Sequence, residues 1–427
     1  MEIRDVATLP KRLIPKYQES QVGDLLSLQW PAPPRNIFVV KKDYSFTPAV
    51  TASLIEFANH ATSTYPSASI ILEPSVAEEI HSSLQSPVYT APLDQLRPAL
   101  HDKVDLFTTV TLGGDGTILH ASSLFATCYN VPPVLSFSMG TLGFLSEWKF
   151  AEYKRAFREV YMSGAGVFTG DRATVLGDPQ PASVDETLDL EANPTGWSSV
   201  RGKSMGLTRG ARILMRNRLK VGLFTADGFT KPVQRESTSA AMPNVVNNQG
   251  VYVMNEVLLH RGKEPHLAVL DVYVGGRFLT EAVADGIIIF TSTPTGSTAY
   301  SLSSGGSIVH PLVPAVLLTP ICARSLSFRP LVLPSSTPIT LRLSEKNRSR
   351  FTELEVSIDG VNLGQGLTAG MEARVWDEEM RHGKNEWQGG VPCVMRRITG
   401  GEAHDGWVGG LFTNGLLKFN HPFGEER

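Results

Sequence analysis

Two hydrophobic grammars divide this chain. In the first, short apolar runs alternate with stretches of helical period. Asn36-Ile-Phe-Val-Val40, Ser69-Ile-Ile-Leu72, Val104 to Leu112 and Val134-Leu-Ser-Phe137 are too short for buried helices and read as buried strands. Between them, Val50, Leu54, Phe57, Ala58 and Ala61 recur at helical spacing, behind a Thr47-Pro48 cap signal. Val76 to Leu84 predicts a second helix, and Phe150, Tyr153, Phe157, Val160 and Tyr161 mark one face of another. Strands alternating with helices predict a parallel sheet covered on both faces. Ligands bind such sheets beyond the carboxyl ends of the strands.

After about residue 165 the helical period fades. Arg212 to Phe224, Val251 to His260, Ile287-Ile-Ile-Phe290, Ala315 to Ile321, Ile339 to Leu343 and Leu354 to Ile358 all read as strands. Leu267 to Val274 alternates with a period of two. Many short strands with turn signals predict an antiparallel sandwich. Residues 178–210 and 226–250, rich in Ser, Asn, Gly and Pro, are expected as long surface loops. The reading is an N-terminal extension at 1–29, an α/β nucleotide-binding domain at 30–165, a β-sandwich at 166–376 and a tail at 377–427. In that tail Trp407, Leu411, Leu416, Leu417 and Phe419 either dock a short helix on the first domain or fray.

With 427 residues, there is enough chain for two cores. A net charge of −3 supplies no basic field, so nucleic acid and anionic membranes are not expected partners. No apolar run reaches the length of a membrane span. Three dispersed cysteines (Cys128, Cys322 and Cys393) argue for a reducing compartment over a disulfide framework. Met1 to Tyr17 carries Arg4, Lys11, Arg12 and Lys16 but also Glu2 and Asp5, a poor transit peptide by composition.

The chemistry is concentrated in three stretches. Thr111-Leu-Gly-Gly-Asp-Gly-Thr117 follows a strand and opens onto Ile118 to Phe125, which reads as a helix. Glycines without a Cβ let the backbone approach a ligand closely, and the helix start presents free N–H groups to phosphate. One carboxylate, Asp115, stands in this anion-friendly loop. It must bind a metal, accept from a hydroxyl or take its proton, which points to phosphoryl transfer onto an alcohol. The second stretch runs from Ala284-Asp-Gly286 to Thr293-Pro-Thr-Gly-Ser-Thr-Ala-Tyr300 and Ser301-Leu-Ser-Ser-Gly-Gly306. Its hydroxyls suit a polar ligand. The third is Asn255-Glu256, two polar residues in an apolar strand.

In order and approximate spacing, these three resemble the motifs of the NAD kinase family, over about residues 30 to 376. Pro132 to Phe137 with Gly140-Thr-Leu-Gly-Phe-Leu145, and Thr319-Pro-Ile-Cys with Ser325 to Pro330, match the same pattern. Leu28-Gln-Trp-Pro, His260-Arg-Gly and Ser301 to Ser307 are most similar to the fungal mitochondrial NADH kinase branch. The glycine loop alone is shared with lipid kinases and phosphofructokinases. A lipid or sugar-phosphate kinase, or a catalytically silent NAD(H)-binding protein, is therefore the competing reading.

The resemblance implies a Rossmann-like, phosphofructokinase-like α/β domain followed by a β-sandwich, with the site between them. It implies ATP-dependent phosphorylation of the 2′-hydroxyl of the adenosine ribose of NADH or NAD⁺, with a divalent metal, Mg²⁺. Carried over, Asp115 is the base or orienting carboxylate, and Gly113, Gly114, Gly116 and Thr117 hold the donor phosphates. Asn255 meets adenine and Glu256 a ribose. Asp285, Thr295, Thr298, Ala299, Tyr300 and Ser303 line the dinucleotide pocket. The branch implies the mitochondrial matrix, with the cytoplasm as the alternative, and the family implies a homodimer or homotetramer. The chain is two residues longer than the family pattern between Asp285 and Thr295, an even insertion that keeps side-chain facing.

Overall fold

A computed structural model describes residues 1–19, 25–41, 48–111, 115–139, 145, 148–165, 197, 210–225, 250–292, 300–310, 312–347, 353–364, 366–383 and 386–396. Gly113, Gly114, Thr295, Thr298 and Ala299, and the tail apolar residues from Trp407 onward, lie outside them, as do most of 178–210 and 226–250.

The first sheet has eleven strands around a parallel centre. Asn36–Val40 lies between Ser69–Ile71 and Leu106–Thr111, and Val134–Ser138 follows, all parallel. These runs are continuous and apolar because helices cover both faces. Leu54, Phe57, Ala58 and Ala61 of the Pro48–Thr64 helix and Phe157, Val160 and Tyr161 of the Tyr153–Tyr161 helix close one side. Leu96 and Leu100 of the Leu93–Lys103 helix and Ile118 and Ala121 close the other.

Several elements escape the sequence pattern. Val88–Thr90 and the Leu93–Lys103 helix, which carries Pro98 inside it, add a further strand and helix. The first 29 residues are woven into the sheet. Ile3–Asp5 pairs in parallel with Val88–Thr90 at one edge, and Lys16–Glu19 and Leu26–Gln29 form an antiparallel pair at the other. From beyond the sandwich, Val391–Met395 returns to lie parallel to Val134–Ser138 and antiparallel to Arg212–Arg216.

The sandwich consists of two six-stranded sheets, antiparallel throughout. Its core is aliphatic, with Val257, Leu259, Leu270, Ile287, Ile289, Leu318 and Leu341 all buried. Two expected strands are each broken. Arg212 to Phe224 divides into Arg212–Arg216, in the first sheet, and Leu219–Phe224, in the sandwich. Arg218 stands at the break, fully buried, because its guanidinium spans the two domains. Val251 to His260 divides into Val251–Val253 and Glu256–His260, which belong to opposite sheets of the sandwich. Met254 and Asn255 make the crossing, so Asn255-Glu256 marks a change of sheet and not the middle of a strand.

Candidate active site

Asp115 is the half-buried N-terminal residue of the Gly116–Ser123 helix. Its carbonyl oxygen accepts from Ile118 and Leu119, both at 3.0 Å, which starts the helix. Its carboxylate does not cap that helix. Oδ1 instead accepts the N–H of Leu145 at 2.9 Å, and the carbonyl of Leu145 accepts from Ser136 Oγ at 2.8 Å. The carboxylate is therefore held against the next strand's loop and leaves the Gly116 and Thr117 N–H groups at the helix start to an anion. Thr117 is buried and Gly116 is exposed.

Charged residues missed by the sequence reading gather at the same carboxyl edge. Lys41 follows Val40, which is in register with Thr109 on the neighbouring strand. Only 4% exposed, Lys41 donates to both carboxylate oxygens of Glu79 at 2.7 Å. His120, one turn beyond Asp115, bonds Glu73 at 3.1 Å. Their signal was position alone, each lying within two turns of a strand's carboxyl end.

Asn255 and Glu256 are held by a residue outside all three motifs. Asp359 sits in the turn between Glu355–Ile358 and Val361–Asn362 with φ of +49°, in the left-handed region. Its Oδ2 accepts the N–H of Met254 at 3.0 Å, and its Oδ1 those of Asn255 and Glu256 at 2.7 and 3.0 Å. Asp359 N–H returns a bond to the Glu256 carbonyl at 3.0 Å. One carboxylate thus replaces the ladder where the chain changes sheets. Burial pushes Asp359 up to about 6 even against those three donors. Burial, and then the Asp359 charge, pushes Glu256 up to about 7. Glu256 Oε2 is buried without a hydrogen-bond partner among the described residues. Met254 packs in the same apolar cluster as Ile118, Ala121 and Leu145. Tyr252 N–H, three residues before Asn255, donates to the Ala126 carbonyl just beyond the helix that Asp115 begins, at 2.8 Å.

The remaining candidates lie elsewhere in the chain. Asp285 separates Arg277–Ala284 from Gly286–Thr291. Glu256 pairs with Phe290, whereas His260 pairs with Gly286. Asp285 is therefore at the opposite end of the strand pair from Glu256, about five residue steps or roughly 17 Å away. Arg261 Nε donates to Asp285 Oδ1 at 2.6 Å. Tyr300 joins this second group. Burial, then the nearby Cys322 thiol and Asp285 carboxylate, push its phenol up. Ser303 is exposed, while the buried hydroxyl of Ser301 bonds Thr319 Oγ1 at 2.9 Å. Asn255 and Glu256 are thus joined through Asp359, Asp115 and Thr117 stand at the start of the Gly116–Ser123 helix, and Asp285 and Tyr300 lie near one another at the far end of the strand pair.

Sequence comparison decides between the competing kinases. Residues 38–165 match the ATP-NAD kinase N-terminal domain, and residues 254–367 match the ATP-NAD kinase C-terminal domain. The mitochondrial NADH kinase of Schizosaccharomyces pombe is 38% identical over 99% of this chain and 86% of its own length. The chain belongs to the NAD kinase family. The mitochondrial NADH kinase of Saccharomyces cerevisiae is 34% identical over 93% of this chain and 84% of that protein. The crystal structure of yeast NADH kinase complexed with NADH superposes with a TM-score of 0.72 at 33% identity, covering all of both chains. The enzyme is an ATP-dependent NAD(H) kinase that makes NADP(H). A lipid or sugar-phosphate kinase sharing only the glycine loop would not account for the C-terminal match.

Proposed function

We propose that this NAD kinase transfers the terminal phosphoryl group of ATP to the 2′-hydroxyl of the adenosine ribose, with NADH as the preferred acceptor. The observation that supports the reading is that Met254, beside Asn255, belongs to the same buried cluster as Ile118 and Ala121 of the helix that Asp115 begins, while Tyr252 N–H donates to the Ala126 carbonyl just beyond that helix at 2.8 Å. Asp115 orients the hydroxyl and takes its proton. Thr117 and the first-turn N–H groups, with Gly113, Gly114 and Gly116, hold the donor phosphates. The unpartnered Oε2 of Glu256 is a ready acceptor for a ribose hydroxyl, and the Asn255 amide is assigned to adenine. Asp285, Tyr300 and Ser303, with Thr295, Thr298 and Ala299, are assigned to the remainder of the extended dinucleotide.

Mg²⁺ would neutralise charge on the triphosphate when bound, held with the phosphates at the glycine loop, while Asp115 is assigned to the acceptor hydroxyl. Among the described residues no three metal-ligating side chains converge. Positioning and charge neutralisation then supply most of the rate. The exposed apolar residues Phe278, Leu279, Leu326 and Val332 favour a homodimer or homotetramer. The names of the two fungal relatives favour the mitochondrial matrix over the cytoplasm.

The test gives purified enzyme ATP, Mg²⁺ and either acceptor, and follows product with an NADP-specific dehydrogenase. We expect the larger kcat/KM with NADH; an equal or larger value with NAD⁺ would overturn the acceptor assignment. Asp115→Asn should lower kcat by about 10²- to 10⁴-fold, the usual worth of a positioned base, with the thermal transition kept. Near-normal turnover in that variant removes Asp115 from the chemistry.

A further inference from the structure

A cavity of about 270 Å³ is walled by Arg12, Lys16, Tyr17, Asn130, Trp387 and Pro392 among others, none of them a candidate active-site residue. Asn130 precedes the Val134–Ser138 strand, and Pro392 opens on the Val391–Met395 strand parallel to it. The cavity is therefore at the amino ends of these strands, whereas Asp115 is at the carboxyl edge of the same sheet. Among the described residues two cations line it and no acidic side chain does, in a chain whose net charge is −3.

Arg12 is fixed from several sides. Its N–H donates to the Asp102 carbonyl at 2.9 Å, and its Nη2 to the Asn130 carbonyl at 2.9 Å. Nη1 is buried and has no hydrogen-bond acceptor among the described residues. The guanidinium lies beside the Cys128 thiol, which it pulls down against burial. A buried guanidinium nitrogen without an acceptor carries a large desolvation cost. An anion entering the cavity would remove that cost. Lys16 is exposed and adds a second positive charge, while Tyr17, Ile14 and Trp387 supply apolar wall. That composition, few polar groups converging in an apolar lining, is what small-molecule sites have. The volume suits a few-carbon anion and is small for a nucleotide.

The cavity wall is continuous with the active-site elements. Asn130 ends the segment whose carbonyls at Phe125, Cys128 and Tyr129 accept from Arg218 at 3.3, 3.0 and 3.2 Å. Arg218 stacks on Tyr252 with its guanidinium carbon 4.1 Å from the ring centre, and Tyr252 N–H donates to the Ala126 carbonyl at 2.8 Å. Tyr252 lies three residues before Asn255. A ligand that repositions residues 126–130 therefore acts on the end of the Asp115 helix and on the Asn255-Glu256 crossing together.

We propose that this cavity is an effector site for a small organic or inorganic anion bearing a carboxylate or phosphate, and that its occupancy changes the enzyme's affinity for the dinucleotide. The test titrates the full-length enzyme with succinate and, separately, inorganic phosphate by calorimetry, and repeats both with Lys16→Gln and Arg12→Gln. It also measures KM for NADH at fixed ATP and free Mg²⁺, with and without each anion. Binding by either probe that weakens at least tenfold in Lys16→Gln, together with a twofold or larger change in KM that this variant loses, is the expected result. Lys16 is exposed, so this variant keeps the test valid should Arg12→Gln fail to fold. Succinate alone, phosphate alone or both as the active probe identifies the anion class. Equal binding by wild type and Lys16→Gln places the anion elsewhere, including the donor-phosphate site, and overturns the proposal. No binding at millimolar concentration, or binding without a change in KM, overturns it as well.

Discussion

Glu256 shows how a single residue can couple this reaction to pH. Its carboxyl is pushed up to about 7, first by burial and then by Asp359. In the free enzyme its neutral form is favoured, so its contribution to stability is present at low pH and is lost as pH rises from the ordinary carboxylate range to about 7. A ribose hydroxyl donating to Oε2 favours the charged form and pulls the value back down. Dinucleotide binding should therefore release a proton and tighten as pH rises from 6 to 8. The expected outcome is a KM for NADH that falls across this range in wild type and is flat in Glu256→Gln. Calorimetry in buffers of different ionisation heat should detect the released proton. A KM independent of pH in the wild type would remove Glu256 from the ribose. The motif identified this residue, but the sequence did not report its environment, because Asp359 lies 103 residues further along and meets it only in the fold.

At the scale of elements, the turn at Asp359 governs where two strands part. Asp359→Ala would leave the N–H groups of Met254, Asn255 and Glu256 without their acceptor, at about 1–3 kcal/mol for each buried donor left unmade. It would also place alanine at φ +49°, where Asn and Asp are tolerated far better. Asp359→Asn keeps one carbonyl oxygen and tolerates the backbone, so it should fold with a modest loss. We expect denaturant midpoints in the order wild type, Asp359→Asn, Asp359→Ala, with KM for NADH rising in the same order. Equal midpoints for the two variants would mean that the backbone bonds contribute little. The parallel strands near the Gly-Gly-Asp-Gly-Thr loop were legible because each is a continuous apolar run with helices on both sides. Val88–Thr90 was not, being three residues long between Pro87 and Pro92. Nor were the breaks at Arg218 and Met254-Asn255. Polar residues mark both, Arg216-Asn217-Arg218 and Asn255-Glu256, but periodicity does not report which sheet a strand joins.

The whole molecule is tied together at Arg218. This residue lies between a strand of the first sheet and a strand of the sandwich and is 1% exposed. Its Nε donates to Glu378 Oε2 at 2.8 Å, its Nη2 pairs with Oε1, and three carbonyls of the 125–129 segment receive its remaining donors. Glu378 N–H in turn donates to the Arg218 carbonyl at 3.0 Å. Every element meeting here bears on the site. The 125–129 segment follows the helix of Asp115, Tyr252 leads to Asn255, and Glu378 follows the Glu372–Asp377 strand of the sandwich. Removing only the cation leaves Glu378 buried and unpaired, a loss of about 3–5 kcal/mol. Replacing both partners with apolar residues of similar volume should recover much of that. Arg218→Met should thus lower the unfolding midpoint strongly, and Arg218→Met with Glu378→Leu should restore most of it. If the junction also sets the spacing between Asp115 and Glu256, the double variant should regain stability while keeping a reduced kcat/KM for NADH. Full recovery of both would show that the pair holds the fold without aligning the two domains for catalysis.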